Sequence, residues 1–206
     1  MKIILIFICF VSLQVFSQPD SIIQPNNAYG FRIIPSAKEN IFGVCMGLVG
    51  SETICNIPYV KKSHGINIQL FGQGFFVFLN RKAFSFKQSL DAEKGFLRGI
   101  SDSSFYKAKH NGIIFSTFGT FTDVINGVSM SAGASMGFLM NGLSINLFTS
   151  KYGQVNGVIL AMFNQAHDMS GLQIGLVNKT NELHGFQIGL WNVNSKRKLP
   201  LINWSF

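Results

Sequence analysis

The sequence predicts an all-β fold made of tandem strand repeats. Three observations predict it: a glycine recurring every 14 or 15 residues, apolar side chains alternating with small or polar uncharged ones after each glycine, and polar clusters between the units. The regular part spans residues 111–206, where Gly112, Gly127, Gly142, Gly157, Gly171 and Gly185 follow one another at intervals of 15, 15, 15, 14 and 14. Each opens a segment of one kind: GIIFSTF, GVSMSAG, GLSINLF, GVILAMF, GLQIGLV and GFQIGLW. Degenerate versions, GVCMGLV from Gly43 and GINIQLF from Gly65, occupy residues 28–110.

Within a unit the first, third and fifth residues after the glycine are apolar, as in Leu172, Ile174 and Leu176. Gln173 and Gly175 fill the positions between them. A period of two is that of a strand whose faces differ. Two residues before the glycine stands another apolar residue, Ile125, Met140, Val155, Met169 or Leu183, with the opposite parity. The chain must bend at the glycine if both sets are to be buried, and glycine supplies the positive φ that such a bend needs. The segments TSKYGQ, QAHD and KTNE read as turns between units. Residues 83–110 break the spacing, which leaves room for a long loop or one short helix.

The first residues, MKIILIFICFVSLQVFSQ, have the form of a signal peptide: Lys2, an apolar run to Leu13, and small or apolar residues Val15 and Ser17 before a cleavage site. Residues 1–17 are therefore expected to be removed, leaving 18–206 as a single repeat domain. The apolar run falls well short of the roughly 20 residues of a membrane-spanning helix. In an exported chain Cys45 and Cys55, flanking the turn-like VGSET, are candidates for a disulfide, and buried thiols are the alternative. The formal charge of +8 points toward outer-membrane lipid or cell-surface components rather than nucleic acid.

Residues 171–206, GLQIGLVNKTNELHGFQIGLWNVNSKRKLPLINWSF, resemble bacterial surface-repeat proteins, which carry tandem G-ϕ-Q-I-G-L-ϕ-N units and a similar ending. The resemblance covers residues 125–206, with Ala132 and Gly133 departing from it. It implies a secreted or outer-membrane protein with no catalytic residues to carry over.

Two architectures satisfy this pattern. The first expectation is a closed antiparallel β-barrel of the outer membrane. Its aliphatic positions would face lipid, Trp191 and Trp204 would stand in the aromatic girdles, and Ile202, Trp204 and Phe206 would form a C-terminal assembly signal. The alternative is a β-solenoid, one coil per repeat, with the strand aliphatics and the Leu183-type residues together inside.

Reactive motifs are weak. Gly133-Ala134-Ser135-Met136-Gly137 fits the G-x-S-x-G elbow, with Asp168 and His184 following in hydrolase order. The elbow needs a helix after the serine, whereas FLMNGLSINLF continues as strand. His64, His110, His167 and His184 lack metal-ligand spacing, and Gly72-Gln73-Gly74 lacks the third glycine of a phosphate loop. The expectation is no enzyme, no metal and no cofactor. What is left is a structural or interaction role at the cell surface, with turns such as Lys179–Glu182 as the contact surface and a small pore or a secreted binder as alternatives.

Overall fold

The computed structural model describes residues 26–33, 39–48, 61–72 and 108–206. The expected signal peptide, Cys55, Gln73, Gly74 and residues 83–107 lie outside them. The described strands are β1 (Asn26–Ile33), β2 (Glu39–Gly47), β3 (Lys61–Gln69), β4 (Ala108–Ser116), β5 (Gly119–Phe121), β6 (Val124–Ser131), β7 (Ala134–Asn146), β8 (Thr149–Leu160), β9 (Phe163–Ile174), β10 (Val177–Val193) and β11 (Lys198–Ser205). They hydrogen-bond in the order β1-β2-β3-β4-β6-β7-β8-β9-β10-β11, with β5 beside β7. All pairs are parallel except β10–β11.

This is a β-solenoid, not the closed antiparallel barrel. Each repeat lies on the next in register: Gly142 pairs with Gly157, Gly157 with Gly171 and Gly171 with Gly185. A barrel of hairpins would pair neighbouring repeats antiparallel. Here every coil repeats the same two corners, so like residues stack on like.

One corner is the repeat glycine. Gly157 has φ +143°, and a Cβ built on it would sit 2.0 Å from the carbonyl oxygen of Gly142 in the coil beneath. Neither the backbone angle nor the spacing admits a side chain. The other corner is a two-residue bend such as Leu147-Phe148 or Gly175-Leu176. Between the corners run two walls, one leading into the glycine and one leaving it. The segments expected to be turns are the leading wall: TSKYGQ lies in β8, QAHD in β9 and KTNE in β10.

The interior is the larger departure from expectation. Ile125, Met140, Val155, Met169 and Leu183 are buried from the leading wall, as the parity argument requires. From the other wall, however, the inward positions are the second and fourth after the glycine. These bring in Ser129, Ser144, Ile159, Gln173 and Gln187, all fully buried. The strand aliphatics do not join Leu183 inside; Phe186 and Ile188 are exposed. A core this polar holds because in-register stacking places each amide one strand spacing from its copy. Gln187 Nε2 donates to Gln173 Oε1 at 2.7 Å, and Asn203 Nδ2 donates to Gln187 Oε1 at 2.9 Å. A second ladder runs Asn164 to Asn178 to Asn192, with both links 2.8 Å.

Candidate interaction surface

With most of the inward amides and hydroxyls bonded to one another, the outward positions of the trailing wall carry the aliphatics. The first position after the glycine forms a continuous column down the solenoid. Val128, Leu143, Val158, Leu172 and Phe186 pair in sequence, and Val44, Ile66 and Ile113 extend it toward β1. The third position forms a parallel column through Met130, Ile145, Leu160, Ile174 and Ile188. Alternation thus gives one apolar wall, facing out.

The two-residue corner adjoining this wall is apolar as well. Leu70-Phe71 and Leu147-Phe148 occupy it in their coils, and Phe118 and Leu176 in others, while Phe163 at the start of β9 and Leu190-Trp191 within β10 adjoin it; all are exposed, Leu190 by 64%. Phe71 and Phe118 stack with centroids 6.4 Å apart. The result is a ridge of leucine and aromatic side chains running the length of the solenoid. Turn composition ordinarily signals polarity, so the sequence offered no warning except the recurrence of Leu-Phe or Leu-Trp at one repeat position.

The leading wall presents the opposite chemistry. Lys151 and Gln154 in β8, Gln165 and Asp168 in β9, and Lys179 and Glu182 in β10 are outward or partly outward. Beside the glycine corner, Asn156, Asn141, Asn126 and Asn111 form an outward amide ladder with links of 2.8, 2.7 and 2.7 Å. It continues through His64 into a stack with Phe42, 4.7 Å between centroids, and Tyr29, 5.2 Å further. Within the expected contact turn Lys179–Glu182, Thr180 is buried and donates to the carbonyls of His167 and Glu182, so only its neighbours are available to a partner.

The residues expected to signal barrel assembly form the end of the solenoid. β11 turns back on β10, pairing Ile202 with Ile188 and Trp204 with Phe186. Both therefore extend the columns of the apolar wall, and Phe206 packs edge-on to Phe186 at 5.3 Å. Pro200 sits where the β10–β11 register shifts, a position that needs no ladder donor. Arg197 in the preceding turn lies over the Trp204 ring, 4.7 Å from its centroid.

Ser135 is fully buried and bonded to Ser129 at 3.1 Å and Asn146 at 2.8 Å. It stands in β7, whereas Asp168 and His184 belong to the outward side of β9 and β10, so the hydrolase triad is not assembled. Asp168 instead takes a hydrogen bond from its neighbour His167 at 2.8 Å. His110 is inside, 2.7 Å from Ser63 Oγ. The serine cluster encloses Tyr152, whose hydroxyl lies 2.9 Å from Ser144 Oγ. Burial raises the pKa of this phenol above its ordinary value, with the surrounding serines opposing the shift. Cys45 is buried on the inner face of β2; its expected partner lies outside the described residues. Among the described residues no group of three or more His, Cys, Asp or Glu side chains converges as for a metal.

Comparison with protein-family models, with curated proteins and with solved structures finds no match to this chain.

Proposed function

We propose that the protein is an exported, non-enzymatic interaction protein whose working surface is the apolar wall and its ridge. One observation carries the reading: two aligned columns and an adjoining ridge of leucine, isoleucine and aromatic side chains face outward along the whole stack, while amides that could have faced water are buried. Contiguous exposed apolar surface of this extent marks an interaction site on a folded chain. A reaction centre has no comparable support, because most inward polar groups bond one another and Ser135, Asp168 and His184 do not converge. The charged outer side of the other wall keeps the remaining surface in water. The signal-like N-terminus and the resemblance to surface-repeat proteins support a location at the cell envelope.

The test is envelope retention in an exporting host. Leu147→Glu, Leu176→Glu and Leu190→Glu together should release the protein from the envelope fraction, while Lys151→Glu with Gln154→Glu on the polar wall should leave it there. A wild-type protein recovered wholly outside the envelope, or one released equally by both sets, would show that the apolar wall is not the working surface.

A further inference from the structure

We infer that the apolar wall docks on a phospholipid bilayer bearing anionic headgroups, ridge first. The inference rests on the reading above and adds the identity of the partner. Three features support it. The wall is the face of a sheet, so from β7 to β10 its backbone donors and acceptors are paired strand to strand and need not meet hydrocarbon unsatisfied. The ridge is made of leucine and aromatic side chains, Leu147, Phe148, Phe163, Leu176, Leu190 and Trp191, which is the composition of a surface that enters the headgroup and acyl boundary. The whole sequence carries a formal charge of +8, which becomes +7 once the expected signal peptide with Lys2 is removed, and one cation, Arg197, is held on the wall itself over Trp204. Anionic headgroups complement that arrangement.

A second copy of the chain fits less well. Two flat walls pressed together would bury roughly 1,100 Å² in total, estimated from strand spacing and rise, which is at the low end of stable interfaces. Such pairing would also leave the ridge, the most exposed part, along the rim. A fluid layer conforms to wall and ridge together.

The protein's only two tryptophans, Trp191 and Trp204, both lie on this side, so the native chain reports its own docking. Protein purified from an exporting host should partition onto phosphatidylcholine vesicles containing phosphatidylglycerol, with a blue-shifted emission quenched by brominated acyl chains. Partitioning should weaken on vesicles of phosphatidylcholine alone and in high salt. Leu147→Asp and Leu190→Asp should each reduce it roughly tenfold or more, from the apolar area lost, with an unchanged circular dichroism spectrum as the folding control. Binding without a blue shift or quenching would mean adsorption by surface charge and would overturn the inference. Concentration-dependent dimerisation with no vesicle binding would also overturn it, yet would keep the apolar wall as an interaction surface. Neither binding nor self-association would remove both.

Discussion

The two walls of this solenoid are cut from one repeat, stacked with one spacing and joined at one glycine, yet they solve the problem of burial in opposite ways. The leading wall sends Met140, Val155 and Met169 inward and keeps Lys151, Gln154 and Lys179 outward. The trailing wall sends Ser144, Gln173 and Gln187 inward and leaves Leu172, Phe186 and Ile188 outward. The difference teaches that in-register stacking relaxes the usual demand for apolar side chains inside. An amide with an identical amide above and below it has its partners supplied by the repeat, so the chain can leave apolar residues on the surface.

The largest effect comes from breaking the corner that holds the walls in common register. Gly157→Ala brings a methyl group against the Gly142 carbonyl and should cost about 3 kcal/mol or more, read as a lowered urea midpoint. Gly30 at the β1 edge has nothing within 4 Å of the same built atom, and Gly30→Ala should cost about 1–2 kcal/mol from the left-handed backbone alone. Equal losses at the two sites would disprove the packing account of the glycine column.

Neighbouring residues on the trailing wall sharpen the contrast between inside and outside. Gln187→Leu should destabilise by about 2–3 kcal/mol, because it strands Gln173 Oε1 and Asn203 Nδ2 in the interior. Ile188→Gln, one residue on and outward, should stay within about 0.5 kcal/mol of wild type. If the apolar substitution were tolerated and the polar one were not, the assignment of faces would be reversed.

Tyr152 offers a pH test of the buried serine cluster. Its folded pKa is raised, so the phenol stays protonated in the native state while the unfolded chain ionises near pH 10. Its contribution is complete below that point and declines as pH rises toward the folded value. Thermal melts should show an alkaline loss of stability that is smaller in Tyr152→Phe, which at neutral pH should lose about 1 kcal/mol through the Ser144 contact. Parallel alkaline profiles would refute the role given to this group.

The smallest effect should be a gain. Gln173 Nε2 is buried without a partner because the ladder ends on Ile159 in the coil before it. Ile159→Gln would extend the ladder by one rung and should raise stability by about 1 kcal/mol. A comparable loss would mean that the end of the ladder is set by packing instead.

Much of the fold is legible in the residues. The interval between Gly112 and Gly185, the bend at each glycine and the burial of Leu183-type residues follow from spacing and parity. The face that points inward does not, because a membrane barrel and this solenoid share the pattern of aliphatics out and amides in. Strand direction was the missing information: it decides whether Gln173 meets another glutamine, and only stacking reveals it. KTNE reads as a turn because Lys, Asn and Glu usually mark one, but a wall exposed on one side accepts the same residues in a strand. The ridge went unrecognised for the converse reason, since Leu70-Phe71 and Leu147-Phe148 read as strand interior while they form corners. Cys45, two residues after Gly43, is buried on the face that the pattern did not mark as inward, and its expected bridge to Cys55 lies outside the described residues.

The central claim, that the apolar side of the trailing wall faces out and is the surface put to use, is most directly tested by thiol labelling. Ile188→Cys and Gln187→Cys would each be treated with maleimide in the folded, lipid-free protein, with the modified residue identified by peptide mass. Position 188 should react at the rate of an exposed thiol and position 187 only after unfolding. Rapid labelling at 187 with protection at 188 would place the amides outside and contradict the account.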